Sequence, residues 1–174
     1  NNNDIEVEAI RSIATAIRNN SNLQNINLQY NKIGEEGAKL IGEALAATIS
    51  LTSIKLNRCQ IGDMGIKCIG EALRHNTSLT SIELNHNNFE QCGAKAIGES
   101  LKHNSHLTAL HLNYNNLAEG ASSIGNALAT NSVLSVIKLV RCNLGASALI
   151  ERALKVNQSL TSIDLFGNNM DGTQ

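Results

Sequence analysis

The chain has no proline and no tryptophan, and only two tyrosines and two phenylalanines among its 174 residues. Its residues are 42% hydrophobic but only 2% aromatic, so a core must be assembled from leucine, isoleucine and alanine. Such a core suits a stack of small equivalent units better than one irregular centre. Charge of either sign is not in excess: the formal net charge is -1, which gives no basic footprint for nucleic acid. No apolar run approaches the ~18 residues of a membrane span, and no signal peptide opens the chain. Cysteine is sparse as well. Cys59, Cys68, Cys92 and Cys142 form no CxxC pair and no zinc-type spacing. Neither a metal site nor a disulfide framework is expected, no cofactor is implied, and free thiols favour a reducing compartment. Asn19, Asn76 and Asn157 match the glycosylation acceptor tripeptide, but asparagine is so frequent here that chance matches are expected.

What is present is a repeat, the feature to be sought first. Leu23, Leu51, Leu79 and Leu107 are 28 residues apart, and the next steps are 27 to Leu134 and 26 to Leu160. The units begin LQNINLQYNKIG, LTSIKLNRCQIG, LTSIELNHNNFE, LTALHLNYNNLA, LSVIKLVRCNLG and LTSIDLFGNNMD, which share L-x-x-[IL]-x-L-x-x-[NC]-x-[ILFM]. The first half of each unit alternates: Ile82 and Leu84 face one way, Ser81, Glu83 and Asn85 the other, as in a short strand. The second half has helical spacing, as at Ala94, Ile97 and Leu101. Asn76, Asn104, Asn131 and Asn157 follow successive helices, and asparagine tolerates the left-handed conformation that commonly ends one. Gly42, Gly70, Gly98 and Gly125 recur inside helices despite a cost of about 1 kcal/mol each against alanine. That repetition predicts close helix-to-helix approach.

The motif LTSIELNHN with its partner CGAKAIGESLKHN resembles the leucine-rich repeats of ribonuclease inhibitor, similar to those in the sensor region of NOD-like receptors and in Ran GTPase-activating protein. The resemblance covers essentially the whole chain, because Asn3, Ile5, Ala9, Ile13, Ala16 and Ile17 fit the same frame. It implies an α/β fold: a right-handed leucine-rich-repeat solenoid, a horseshoe with a parallel concave sheet and convex helices, in about six repeats of 26–28 residues. One domain over 1–174 is expected, with a partial repeat at 1–22, full repeats at 23–50, 51–78, 79–106, 107–133 and 134–159, and a truncated one at 160–174. The chain opens inside a repeat and no helix follows its last motif. It is therefore expected to be a fragment of a longer protein.

Parallel strands stack about 4.8 Å apart and helices need roughly 8–10 Å, so such a stack curves with its strands inward. Asn31, Cys59, Asn87, Asn115, Cys142 and Asn168, with Asn3, stand where the chain leaves the strand. A buried amide there can bond backbone groups of adjacent turns, and a thiol is small enough to substitute. The middle outward strand position reads Asn27, Lys55, Glu83, His111, Lys138 and Asp164, a column whose signs can neutralise one another. Glu83 and His111 are expected to form a solvated ion pair rather than an acid-base couple, since no nucleophile stands beside them. One step before the asparagine column come Tyr30, Arg58, His86, Tyr114, Arg141 and Gly167. Both tyrosines of the chain are here with two unbalanced arginines, and these are residue types enriched in binding hot spots. Val136, Val140 and Phe166 make the last outward positions apolar, either as an anchor for a partner or as a surface that further chain covers.

The fold hosts several unrelated tasks. The leading expectation is a non-enzymatic protein-interaction module with a protein partner on its concave face, and no nucleic acid, membrane or small-molecule substrate. Its expected contacts are Tyr30, Arg58, His86, Tyr114 and Arg141, with Lys55, Glu83, His111 and Lys138 beside them. It would belong to a larger intracellular receptor or a bacterial effector, in the cytoplasm or a host cytosol. The alternatives are a regulator of a small GTPase resembling Ran GTPase-activating protein, for which no catalytic residue maps here, or a structural spacer for a further domain.

Overall fold

Each repeat opens with a three-residue strand, short because the alternating L-x-x-[IL]-x-L segment is all that can serve both the core and a neighbour. In the computed structural model, which describes residues 7–145 and 148–169, these are β1 (Asn25–Asn27), β2 (Ser53–Lys55), β3 (Ser81–Glu83), β4 (Ala109–His111), β5 (Val136–Lys138) and β6 (Ser162–Asp164). They form one open parallel sheet in chain order. The register repeats without a slip, Ile26 opposite Ile54, then Ile82, Leu110, Ile137 and Ile163. A shift by one residue would turn every one of these side chains out of the core. Main-chain bonding continues past the strands, from Leu28 N–H to Lys55 O (2.9 Å) and Leu56 N–H to Glu83 O (2.8 Å). Helices α1 (Val7–Asn19), α2 (Gly34–Ala47), α3 (Gly62–His75), α4 (Gln91–Leu101), α5 (Ala121–Leu128) and α6 (Ala148–Val156) alternate with the strands, α5 being preceded by a 3-10 turn at Ala118–Gly120. The architecture is an α/β leucine-rich-repeat solenoid.

Leu79, Ile82, Leu84, Phe89, Ala94 and Ile97 of a central unit are all fully buried. Each large side chain among them stabilises the stack by about 1.5–3 kcal/mol. The helix glycines lie where helices nearly touch. A Cβ on Gly42 would meet Cys68 O at 2.9 Å, and one on Gly98 would meet the carbonyl carbon of Ser123 at 2.5 Å. The close approach expected from their spacing is therefore present.

The asparagines after the helices do something other than end them in left-handed backbone. Asn76 is extended, at φ −71 and ψ 130. Its side chain instead reaches back one repeat: Nδ2 donates to Leu45 O at 2.6 Å, while Oδ1 accepts from Ser78 and Leu79 N–H. Asn104, Asn131 and Asn157 likewise donate to Leu73, Leu101 and Leu128 O. Each satisfies a carbonyl at the end of the previous helix, a group the helix cannot pair by itself. Asn76 is 3% exposed and its amide nitrogen is engaged, so its acceptor tripeptide is not a usable one.

The strand-end column is a second ladder, and it has a direction. Oδ1 of Asn87 accepts the Cys59 N–H of the repeat before it at 2.8 Å, and Oδ1 of Asn115 accepts the Asn87 N–H at 2.8 Å. Asn168 serves Cys142 in the same way at 2.7 Å. The Nδ2 groups of Asn87 and Asn115 donate back to Leu56 O (2.7 Å) and Leu84 O (3.0 Å), and that of Asn31 donates to Leu28 O within its own repeat. Cys59 and Cys142 keep the donor half, each Sγ–H meeting a carbonyl at 3.3 Å, Leu28 O and Leu112 O respectively, and offer the Asn31 and Asn115 N–H groups only a weak sulfur acceptor. Burial pushes both thiols up to about 11. Cys68 is half-buried and Cys92 is exposed, and all four cysteines are free.

Candidate functional site

The turn after each strand must reverse the chain within a few residues, and it does so through left-handed backbone. Tyr30 (φ 62), Arg58 (φ 56), His86 (φ 55), Tyr114 (φ 59) and Arg141 (φ 50) all take this conformation, and Gly167 (φ 73) completes the column. A side chain with a Cβ is disfavoured there by roughly 1–2 kcal/mol per residue. The conformation aims the five side chains outward along one rim of the sheet. Tyr30 and Tyr114 are 45% and 43% exposed, Arg58 and Arg141 are exposed, and His86 is half-buried.

The register that stacks the repeats also stacks these side chains. The guanidinium of Arg58 lies over the Tyr30 ring, 5.7 Å from its centroid, and that of Arg141 lies over Tyr114 at 5.9 Å. His86 stacks on that same tyrosine: the His86 and Tyr114 rings are 4.1 Å apart with 10° between their planes. The column was expected to have no way of satisfying its own charges. It satisfies them in part, through ring faces rather than acids. Neither Arg58 nor Arg141 joins an ion pair among the described residues. Partial burial, and then the Arg58 charge, hold the His86 imidazole below its ordinary value, so at neutral pH it adds no third cation.

The inner column follows the sheet register, with Lys55 opposite Glu83, Glu83 opposite His111 and His111 opposite Lys138. Its pairing differs from expectation. Glu83 forms its ion pair with Lys55 (2.9 Å) and accepts a hydrogen bond from Asn57 Nδ2 (2.7 Å), and no Glu83–His111 pair forms among the described residues. Partial burial raises the Glu83 carboxyl, but the bonds from Asn57 and Lys55, with the charges of Lys55 and His111, outweigh it and hold the group below the usual carboxylate range. For His111, burial lowers the imidazole and Lys138 and Lys55 add to this, against the raising effect of Glu83. Of its two register neighbours the carboxylate takes the lysine.

Between these two columns runs a third, which the sequence pattern did not single out. Oδ1 of Asn57 accepts the Asn85 N–H, Oδ1 of Asn85 the Asn113 N–H, and Oδ1 of Asn113 the Val140 N–H, at 2.8–2.9 Å. It fixes the hollow side of the strands as the strand-end ladder fixes the core side. The recurrence of asparagine at one repeat position was the available signal. The column then turns apolar: Val140 is half-buried beside half-buried Val136, and Phe166 is 70% exposed.

Among the described residues there is no group of three or more His, Cys, Asp or Glu that could hold a metal ion, and no helix is long and apolar enough to cross a membrane. A recess near the helices, lined by Gln91, Cys92, Lys95, Glu119, Gly120 and Ser123, is an open dent of about 380 Å³ and carries no catalytic grouping.

Comparison with known proteins agrees with this geometry. No curated protein sequence matches the chain. Among solved structures, leiomodin-1 actin-binding site 2 superposes with a TM-score of 0.66 at 22% identity, covering 72% of this chain and 76% of that one. The C-terminal domain of a Caenorhabditis elegans tropomodulin superposes with a TM-score of 0.71 at 15% identity, over 85% and 92% of the two chains. At these identities the likeness is one of fold. The family model described as Leucine Rich repeat matches residues 19–42, 49–70, 75–98, 103–125 and 156–173, and the chain belongs to the leucine-rich-repeat family.

Proposed function

We propose that the chain is a non-enzymatic module that binds another protein along the sheet and its rim, through Tyr30, Arg58, His86, Tyr114 and Arg141, with Lys55, Glu83, His111 and Lys138 as the flanking column. The observation that carries this is the left-handed backbone of five successive non-glycine rim residues. Glycine would relieve the strain and already stands at the equivalent Gly167. Strained positions that keep bulky side chains commonly mark functional sites. The side chains kept here are the types that anchor interfaces. The fold's likeness to an actin-binding region of leiomodin-1 supports a protein partner and makes actin the first purified candidate to test.

The test has two stages. A photo-crosslinking amino acid at Gln60 or Asn116, beside the rim, should capture one protein in cells, whereas the same probe at Lys67 or Lys95 on the helices should not. Against that partner, Arg58→Ala with Tyr114→Ala should weaken binding by at least about 30-fold, two hot-spot truncations at 1.4 kcal/mol per tenfold. Lys67→Ala with Lys95→Ala should change it little. Equal effects of the two double variants would place the interface elsewhere.

A further inference from the structure

Charge is not spread evenly over the molecule. The strands and their turns, residues 24–32, 52–60, 80–88, 108–116, 135–143 and 161–169, contain five Lys/Arg (Lys32, Lys55, Arg58, Lys138 and Arg141) and two Asp/Glu (Glu83 and Asp164). That is a formal +3. The rest of the chain then has nine Lys/Arg against thirteen Asp/Glu, a formal -4. Within the positive half, Lys55 is already paired with Glu83. Arg58 and Arg141 are exposed, have no ion pair among the described residues, and lie over the Tyr30 and Tyr114 rings, contacts that are not with an acid. No side-chain hydrogen bond from either guanidinium is formed among the described residues, which leaves the N–H donors that bind carboxylates in pairs for a ligand.

The spacing of these two guanidinium groups is set by the sheet. Arg58 and Arg141 are three repeats apart, which at about 4.8 Å per strand is roughly 14 Å. An extended peptide advances about 3.3 Å per residue and returns a side chain to the same face every second residue. Residues i and i+4 are therefore about 13 Å apart on one face. A helix rises about 1.5 Å per residue, and its nearest same-face match near this distance is i and i+11, about 16 Å. We propose, resting on the protein-binding reading above, that the rim takes an acidic peptide segment in extended form, with carboxylates at i and i+4 seated on Arg58 and Arg141. The edges of His86 and Tyr114 meet the residues between them. A single-stranded nucleic acid fits less well. It needs open ring faces for its bases, and the faces of Tyr114 are taken by His86 on one side and Arg141 on the other.

The experiment is an NMR titration of the full chain with ten-residue Ser/Thr peptides carrying two glutamates at i,i+2, i,i+4 or i,i+6, and with a thymidine oligonucleotide of equal charge. The i,i+4 peptide should bind about tenfold tighter than the other two, shifting the amides of residues 57–59, 85–87, 113–115 and 140–142. In Arg58→Asn or Arg141→Asn, which keep a residue tolerant of left-handed backbone, the three peptides should bind alike. Should either variant fail to fold, glycine at the same position reproduces the backbone of the sixth turn. No peptide binding, no preference for i,i+4, a preference that survives loss of either arginine, or oligonucleotide binding as tight as the i,i+4 peptide would each overturn the proposal. Rim cross-links to a partner alongside any of these results would leave the protein-binding reading standing. Cross-links from the helix side alone would remove both.

Discussion

Replacing Asn87 tests the strand-end ladder, because its side chain serves two buried backbone groups by separate atoms. Oδ1 accepts the Cys59 N–H and Nδ2 donates to Leu56 O, and Asn87 is fully buried. Asn87→Leu strands both groups. An unpaired buried group costs about 1–3 kcal/mol, so the loss should be about 2–6 kcal/mol, a large part of a typical domain's stability. Asn87→Cys keeps a weak donor and leaves only a weak sulfur acceptor, as Cys59 and Cys142 do in their own turns, and should lose about 1–3 kcal/mol. Cys59→Asn should be neutral or slightly stabilising, since it puts an amide oxygen where a weakly accepting sulfur faces the Asn31 N–H. In urea unfolding followed by circular dichroism, a slope of about 2 kcal/mol per molar turns these into midpoint shifts of about 1–3 M, 0.5–1.5 M and near zero. Equal shifts for Asn87→Leu and Asn87→Cys would show that the two atoms do not act separately. A large loss in Cys59→Asn would show that the turns are not equivalent, and either result refutes the ladder.

Three further outcomes follow from the same structure. Under native conditions a thiol reagent at pH 8 should modify Cys92 first and Cys68 more slowly, while Cys59 and Cys142, buried and raised to about 11, should react only on unfolding; early loss of four thiols would contradict this. The Glu83 carboxyl is held below its ordinary 4.5, so its contribution is present above that pH and lost as the pH falls through its lower folded value; the stability difference between the wild type and Glu83→Gln should be constant from pH 5 to 8 and vanish in acid. Gly98→Ala should destabilise by about 1–3 kcal/mol by overpacking in spite of alanine's better helix propensity, because its Cβ meets the Ser123 backbone at 2.5 Å; Gly70→Ala, whose nearest atom is Ala96 O at 3.2 Å, should be milder in parallel melts.

The repeat was legible in the sequence because a 28-residue period states which residues become neighbours. Leu84 and Ile82 read as core, and Asn87 read as a buried amide, from position alone. Conformation is not stated by a period. Nothing in the order Tyr30, Arg58, His86 shows that all three take left-handed backbone, or that Arg58 lies over Tyr30 and His86 stacks on Tyr114. Those follow from turn geometry and rotamers. Helix-end Asn76 was misread for the same reason: asparagine tolerates left-handed backbone, but here the carbonyl of Leu45 one repeat away was a better use for its amide. Glu83 has two register neighbours, Lys55 and His111, and a period does not state which of them it pairs with; it takes Lys55.

The one-way bonding of the strand-end column divides the stack into segments. Each asparagine secures the repeat before it through an amide oxygen, and each cysteine does so only through a weakly accepting sulfur. The amides of Asn31 and Asn115 meet only the sulfurs of Cys59 and Cys142, weak acceptors, whereas those of Cys59, Asn87 and Cys142 meet amide oxygens. A nearest-neighbour array is as strong as its weakest joint. The solenoid therefore has two seams, one between the units of Asn31 and Cys59 and one between those of Asn115 and Cys142, with a three-repeat block between them. Partial opening should begin at those seams, and the rim residues Arg58, His86 and Tyr114 ride together on the block that stays closed.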